Sequence, residues 1–153
     1  MQTTLIILKP DAVQRGLIGR IIARLEDKGL RIVGGKFMQV TRALAEKHYA
    51  EHVGKPFYDG LIRFITAAPV LVLAVRGPEA IAVCRKLIGK TKGTEAEPGT
   101  IRGDFGVSPG LNLVHGSDSA TSAERELALW FDPDELVDYQ MSVAQWIYEP
   151  SEV

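Results

Sequence analysis

The chain has 153 residues, 46% of them hydrophobic and 24% charged, with a formal net charge of −1 at pH 7. That length suits one domain over residues 1–153, and the composition excludes disordered, collagenous and disulfide-scaffold classes. Cys84 is the single cysteine, so no internal disulfide can form, as is usual for a reducing compartment. The longest apolar stretch, Ile65 to Val75, is interrupted by Thr66 and Pro69 and is about half the roughly 20 residues of a membrane span. The first residues lack a basic region and a signal-length apolar run. A cytoplasmic protein without a membrane partner is expected.

In chain order, Leu5–Leu8 is a short apolar run stopped by Pro10 and reads as a buried strand. Leu17, Ile18, Ile21, Ile22 and Leu25 recur at helical spacing, with Gly29 as a stop. Leu30–Val40 reads as a long strand in which Gly34-Gly35 marks a bulge or a close backbone approach. Ala43–Ala50 reads as helix and Val70–Val75 as strand. Pro78 can open a helix with Ala80, Ile81, Cys84, Leu87 and Ile88 on its apolar face. Gly89–Gly110 is a Gly/Thr/Pro-rich loop, and loops of that length usually carry function. Leu111–Val114 reads as a short strand, and Ala120, Ala123, Leu127 and Trp130 line a last helix. The order predicts an α+β, ferredoxin-like βαββαβ fold with a four-stranded antiparallel sheet and helices mainly on one face. A flavodoxin-like parallel sheet is the alternative.

Charge is uneven along the chain. Residues 1–123 hold 17 Lys and Arg against 11 Asp and Glu, whereas residues 124–153 hold 1 against 8. Arg85, Lys86, Lys90 and Lys92 cluster without an intervening acid, which suits a phosphate ligand or a solvated helix end. Dedicated nucleic-acid binding would call for a clearly basic chain and is not expected.

Three motifs invite chemistry. Gly89-Lys90-Thr91 resembles the end of a P-loop, but Cys84 stands where the first glycine belongs and the preceding segment reads as helix. His48-Tyr49-Ala50-Glu51-His52 fits H-x-x-E-H, which puts two histidines on one helix face, yet no third zinc ligand follows. Asn112-Leu113-Val114-His115-Gly116-Ser117-Asp118-Ser119 sets a histidine at a strand end, then a glycine, then residues that can cap a helix. Imidazole is mostly in its neutral, nucleophilic form at pH 7. Strict alternation would put Asn112 and His115 on opposite faces, so strand geometry must fail by about Val114 if both line one pocket.

That octamer resembles the N-x-x-H-G-S-D-S signature of the nucleoside diphosphate kinases. Lys9-Pro10-Asp11, Gln14–Gly19, His48-Tyr49, Pro56-Phe57, Pro98–Phe105, Trp130-Phe131 and Glu135–Tyr139 fit the family in the same order. The resemblance implies phosphoryl transfer from a nucleoside triphosphate to a nucleoside diphosphate in two half-reactions, with His115 as the nucleophile that carries a pros-phosphohistidine. It implies that Glu126 and Ser117 orient His115. Lys9 and Tyr49 would act near the transferred group, and His52, Arg85, Thr91 and Arg102 would bind phosphate. Phe57 and Leu61 would hold the base, Asn112 the sugar, and Gly116 would complete the pocket. Mg²⁺ would be held mainly by substrate phosphates and water, with no dedicated metal cage. Stacking on Phe57 implies broad base specificity.

The tail Gln145–Glu149 resembles that of hexameric members, so a homohexamer is expected over a tetramer. Two positions depart from the family pattern: Gly93, where a proline is common, and Pro109, near the base, where an aliphatic residue is common. Two other classes compete, an inactive binding module and a metallohydrolase. The intact set Lys9, Tyr49, Arg85, Thr91, Arg102, Asn112 and His115 speaks against the first, and the missing third ligand against the second.

Overall fold

The computed structural model describes residues 1–152. Strands β1 (Gln2–Leu8), β2 (Arg31–Met38), β3 (Val70–Gly77) and β4 (Val114–Gly116) form a four-stranded sheet in the order β2-β3-β1-β4, with every neighbouring pair antiparallel. The helices are α1 (Pro10–Gln14), α2 (Ile18–Asp27), α3 (Arg42–His48), α4 (Tyr58–Thr66), α5 (Ala80–Ile88), α6 (Ile101–Phe105) and α7 (Ala120–Trp130). The βαββαβ order is that of the ferredoxin-like plan, with α3 and α4 both between β2 and β3 and α7 added after β4.

The central strands β1 and β3 are continuous apolar runs because both faces of the sheet are covered. Leu5 and Ile7 join Val70, Val72 and Ala74 in one cluster with residues of α3, α4 and α7. Ile6 and Leu8 join Leu73 and Val75 in another, with residues of α2 and α5. This corrects the expectation of helices mainly on one face. A sheet with a bare face would alternate apolar and polar residues, and Leu5–Leu8 and Val70–Val75 do not.

In β2 the register slips between Ile32 and Gly34, leaving Val33 as the extra residue of a bulge. The Val33 carbonyl accepts from Val137 N–H at 2.7 Å. A Cβ on Gly34 would lie 2.8 Å from Leu136 Cδ2, so the glycine admits the chain that follows α7 against the sheet. The bulge and the close approach expected at Gly34-Gly35 are therefore both present.

The last strand is displaced from its expected place. Leu111–Leu113 lie outside the sheet, and pairing starts at Val114, which faces Leu8 across β1. The cause is Leu113. It is fully buried with φ +71°, and Val114 N–H donates to Asn112 O at 2.8 Å, which closes a tight γ-turn. Regular geometry thus fails at Leu113, within the bound the alternation argument set at about Val114, and resumes through Gly116. The long loop 89–110 holds α6, whose N-cap Thr100 Oγ1 accepts from Gly103 N–H at 3.0 Å. Five residues are too few to show a helical period in the sequence.

Candidate active site

His115 pairs with Ile7 across the β1–β4 ladder, and paired residues share a sheet face. That face carries α3 and α7, so both helices deliver side chains to the histidine. Ser119 opens α7 by accepting from Ser122 N–H at 3.1 Å. One face of α7 then presents Ser122, Arg125 and Glu126 at spacings of three and four residues.

Glu126 Oε2 lies 2.9 Å from His115 Nε2 and accepts from Ser117 Oγ at 2.5 Å. Nδ1 is the ring nitrogen left without a hydrogen-bond partner among the described residues. Glu126 is buried, and loss of water is the largest influence on its carboxyl and opposes its charge. The hydrogen bond and charge of His115, then the Ser117 hydroxyl, outweigh it and hold the pKa below the ordinary glutamate value. A carboxylate held in this form can offset positive charge on a neighbouring imidazole.

His48 sits at the end of α3, buried against the same histidine. Its ring centroid is 4.7 Å from that of His115, with the planes at 83°. Trp130 Nε1–H donates to His48 Nδ1 at 3.1 Å. Burial above all, then the neighbouring His115 charge, lowers the His48 pKa to about 3. His52 lies in the one-turn 3₁₀ helix Ala50–His52, beyond the end of α3. Its Nδ1 takes a hydrogen bond from Lys55 Nζ at 3.1 Å. The H-x-x-E-H pair is therefore split between a buried ring and a cavity-lining one, because Tyr49 caps α3 and ends the helix between them.

The opposite wall is basic. Lys9 is 8% exposed, and its ammonium donates to Asn112 Oδ1 at 2.8 Å. Burial first, and then Arg102, lowers its pKa to about 8. Asn112 Nδ2 donates to Thr91 O at 3.1 Å, which ties the long loop to Lys9. Arg102 spreads its guanidinium over the carbonyls of Asn112 at 3.1 Å, Gly89 at 3.2 Å and Val114 at 2.6 Å. Arg85 reaches Gly116 O at 3.4 Å. The Tyr49 phenol is pushed up to about 12, by burial first and then by the Glu126 charge, so it stays a donor at neutral pH.

These residues surround one cavity of about 350 Å³. It is lined by Lys9, Tyr49, His52, Phe57, Leu61, Arg85, Thr91, Arg102, Asn112, His115, Gly116 and Glu126, together with His48, Glu51, Asp118, Ser122 and Arg125. Ser117 lies beside the cavity and reaches it through Glu126. A second, apolar cavity of about 330 Å³ shares Phe57 and Leu61 and adds Gly60, Phe64, Gly110 and Leu111. An aromatic mouth thus leads to a basic interior with a histidine at its end, the layout of a site for a base and a phosphate chain.

Comparison with known proteins decides between the readings. Residues 2–136 match the family model for nucleoside diphosphate kinase. The chain belongs to the nucleoside diphosphate kinase family. It is 60% identical over 149 residues to a nucleoside diphosphate kinase of Staphylococcus epidermidis, covering 97% of this chain and 100% of that one. A relative from Staphylococcus saprophyticus is 58% identical over the same length. Among solved structures, a halophilic nucleoside diphosphate kinase from Halobacterium salinarum in complex with CDP superposes with a TM-score of 0.95 at 53% identity, covering 97% and 99% of the two chains. A family protein from Babesia bovis gives a TM-score of 0.94 at 50% identity. A nucleoside diphosphate kinase transfers a terminal phosphoryl group from a nucleoside triphosphate to a nucleoside diphosphate and needs a divalent cation.

Gly93, Pro109 and Gly116 differ in how closely their surroundings approach. Gly93 packs against the chain: a Cβ there would lie 2.1 Å from Gly106 O. The loop is built around its absence. Pro109 is not among the residues lining the mouth, where Gly110 and Leu111 stand opposite Phe57. Gly116 fits between Ile88 and Ile6, and a Cβ there would lie 2.7 Å from Ile88 Cδ1, so a larger residue would have to displace the end of that side chain.

Sequence alone assigned no place in the pocket to Glu51, Asp118, Ser122 and Arg125, and His48 stood only in the H-x-x-E-H pattern and in the His48-Tyr49 match. The helical spacing of Ser122, Arg125 and Glu126 was the available signal for two of them. His48, His115 and Glu126 each bring one donor atom within 4.8 Å of the others, a set that can ligate zinc. Lys9, Arg85, Arg102 and Arg125 line the same cavity and oppose a bare cation. For a hard ion such as Mg²⁺, the carboxylates of the cavity are Glu51, Asp118 and Glu126.

Proposed function

We propose that His115 is the nucleophile through which the kinase reaction runs. The observation that carries this is the His115–Glu126 contact: Nε2 is occupied at 2.9 Å, and Nδ1 is free on a residue that shares its cavity with Lys9, Arg85 and Arg102. The Nδ1 lone pair attacks the γ-phosphorus. The N–P bond forms as the bond to the bridging oxygen breaks, and that oxygen's electrons stay with the departing diphosphate. No proton has to leave Nδ1. The ring keeps its Nε2–H, gains positive charge, and is steadied by Glu126, which Ser117 holds in place. A second diphosphate then enters the same cavity and reverses the steps.

Each remaining residue takes the part its chemistry allows. Lys9 and Tyr49 donate to the transferring group. His52, Arg85, Thr91 and Arg102 meet the phosphate chain. Arg102 has three of its five N–H groups on backbone carbonyls, so it shapes the pocket wall as well. Asn112 meets the sugar while anchoring Lys9, and Gly116 completes the pocket. Phe57 stacks on the base against Leu61 and tolerates any base, since every base has a π-face.

Mg²⁺ is the cation that fits this donor set, held chiefly by substrate phosphates and water, with Glu51 and Asp118 placed to hold its waters. It would neutralise charge on the phosphate chain. Among the described residues no helix is long and apolar enough to cross a membrane, and a cytoplasmic enzyme is the reading we adopt. We take residues 1–153 as one kinase domain and a hexamer as its assembly over a tetramer. Light scattering tests the assembly, and a four-subunit mass overturns it.

Steady-state kinetics with varied ATP and varied diphosphate test the mechanism. Parallel double-reciprocal lines are expected, and lines that converge to the left of the axis contradict a phosphoryl-enzyme.

A further inference from the structure

We infer that His48 is a positioning residue, a neutral ring that fixes the plane of the His115 imidazole so that Nδ1 faces the phosphorus. The inference rests on His115 being the nucleophile. Among the described residues its one side-chain hydrogen bond, to Glu126, pins Nε2 but lets the ring turn about the line from Cβ to Nε2. The His115 side chain is 22% exposed, so its burial is not complete. A second contact is needed, and His48 supplies it, with centroids 4.7 Å apart and planes at 83°.

His48 is itself held twice. Trp130 Nε1–H donates to its Nδ1, which places the one ring proton on Nε2. Tyr49 packs on it edge-on at 4.7 Å. The groups that face it are His115, Glu126, Arg125 and Lys9, and burial outweighs each of them and favours the neutral ring near pH 7. A protonated ring here would set a second cation beside an imidazole that must gain charge. A phenylalanine would orphan the Trp130 N–H. Histidine meets both demands: it accepts a hydrogen bond on one side and offers an uncharged ring on the other.

Two variants separate the ring from the hydrogen bond. His48→Asn keeps an acceptor near the place of Nδ1 and removes the ring. His48→Phe keeps the ring and removes the acceptor. The rate of phosphoryl-enzyme formation from Mg-ATP is measured in a single turnover, per folded molecule, along with nucleotide KM. His48→Asn should lose about 10- to 100-fold in rate, in line with a small misplacement of a reacting atom, while KM moves less than about twofold. His48→Phe should recover most of that rate while melting at a lower temperature. An unchanged rate in His48→Asn, or a rate in His48→Phe as low as in His48→Asn, overturns the inference. A residue that served stability alone would leave the rate per folded molecule untouched in both.

Failure of His115 as nucleophile would show separately, as phosphorylation that survives His115→Ala. If neither variant folds, ¹⁵N-histidine NMR of the intact enzyme decides. His48 should show a protonated Nε2, a bare Nδ1 and no titration between pH 5 and 9, and a titrating His48 or the other tautomer contradicts the inference.

Discussion

Asp11 Oδ2 accepts a hydrogen bond from Leu113 N–H at 3.0 Å, and Leu113 is the buried residue whose left-handed backbone turns the chain between Asn112 and His115. Lys9 N–H donates to Leu113 O at 2.8 Å, so Leu113 is held from both sides by the segment that leaves β1. A left-handed, non-glycine residue persists only where its surroundings over-determine it. Here they do, and the result lets Asn112 and His115 share one cavity despite strand alternation. Asp11→Ala removes the acceptor and leaves a buried N–H unpaired, at a cost of about 1–3 kcal/mol. Urea unfolding should show that loss, and kinetics should show a fall in kcat. Unchanged stability and unchanged kcat would mean that the turn does not depend on Asp11.

Ser117 Oγ and His115 Nε2 meet the same Glu126 oxygen, Oε2, so variants at Ser117 and Glu126 should not be additive. Glu126→Gln keeps the shape but cannot offset charge on the imidazole, and we expect roughly a 10²- to 10³-fold loss in kcat, as for loss of a preorganised electrostatic contact. Ser117→Ala should cost less, about tenfold. The double variant should fall little below Glu126→Gln alone, because Ser117 works through Glu126. Fully multiplicative losses in a double-mutant cycle would show that Ser117 acts on substrate directly.

Lys9 gives a pH signature. Its pKa in the free enzyme is about 8, so it is charged below pH 7 and largely neutral above pH 9. A bound phosphate chain favours the charged form and raises that pKa. Nucleotide binding should therefore take up a proton between about pH 8 and 9 and take up none through Lys9 near pH 6.5. Calorimetry in buffers of different ionisation enthalpy reads this directly, and Lys9→Met should abolish the uptake at the higher pH. The same shift affects folding: between pH 8 and 10.5 the unfolded chain holds the Lys9 proton and the folded chain does not, so this group makes the free enzyme more stable as pH rises through that window.

Much of this was legible in the residues. The runs Leu5–Leu8 and Val70–Val75 located the central strands, and the spacing of Ile21, Leu25, Cys84 and Ile88 located two covering helices. The octamer around His115 marked the site. Other features were hidden for physical reasons. Helices α1 and α6 are five residues long and show no period. The last strand was read early because Leu111, Leu113 and Val114 are apolar, whereas Leu113 is buried in a turn and pairing begins after it. The cover on both sheet faces was written in runs that never alternate. His48 was hidden because its partners, Trp130 and His115, are 82 and 67 residues away in sequence.

Gly93 offers a test of the long loop. With Gly106 O only 2.1 Å from where a Cβ would stand, Gly93→Ala must push backbone against backbone. Overpacking of this kind costs about 1–3 kcal/mol. Thermal unfolding should show a lower midpoint, and KM for nucleotide should rise because Thr91 and Arg102 hang on the same loop. An unchanged midpoint would mean that the loop relaxes freely.

A covalent phosphoryl group on His115 is measured most directly by intact mass. Wild type and His115→Ala are mixed briefly with Mg-ATP and weighed. Wild type should gain one acid-labile phosphoryl group that any added nucleoside diphosphate removes, and His115→Ala should gain none. A phosphoryl group that persists in His115→Ala, or no phosphorylated wild type during active turnover, would contradict the account.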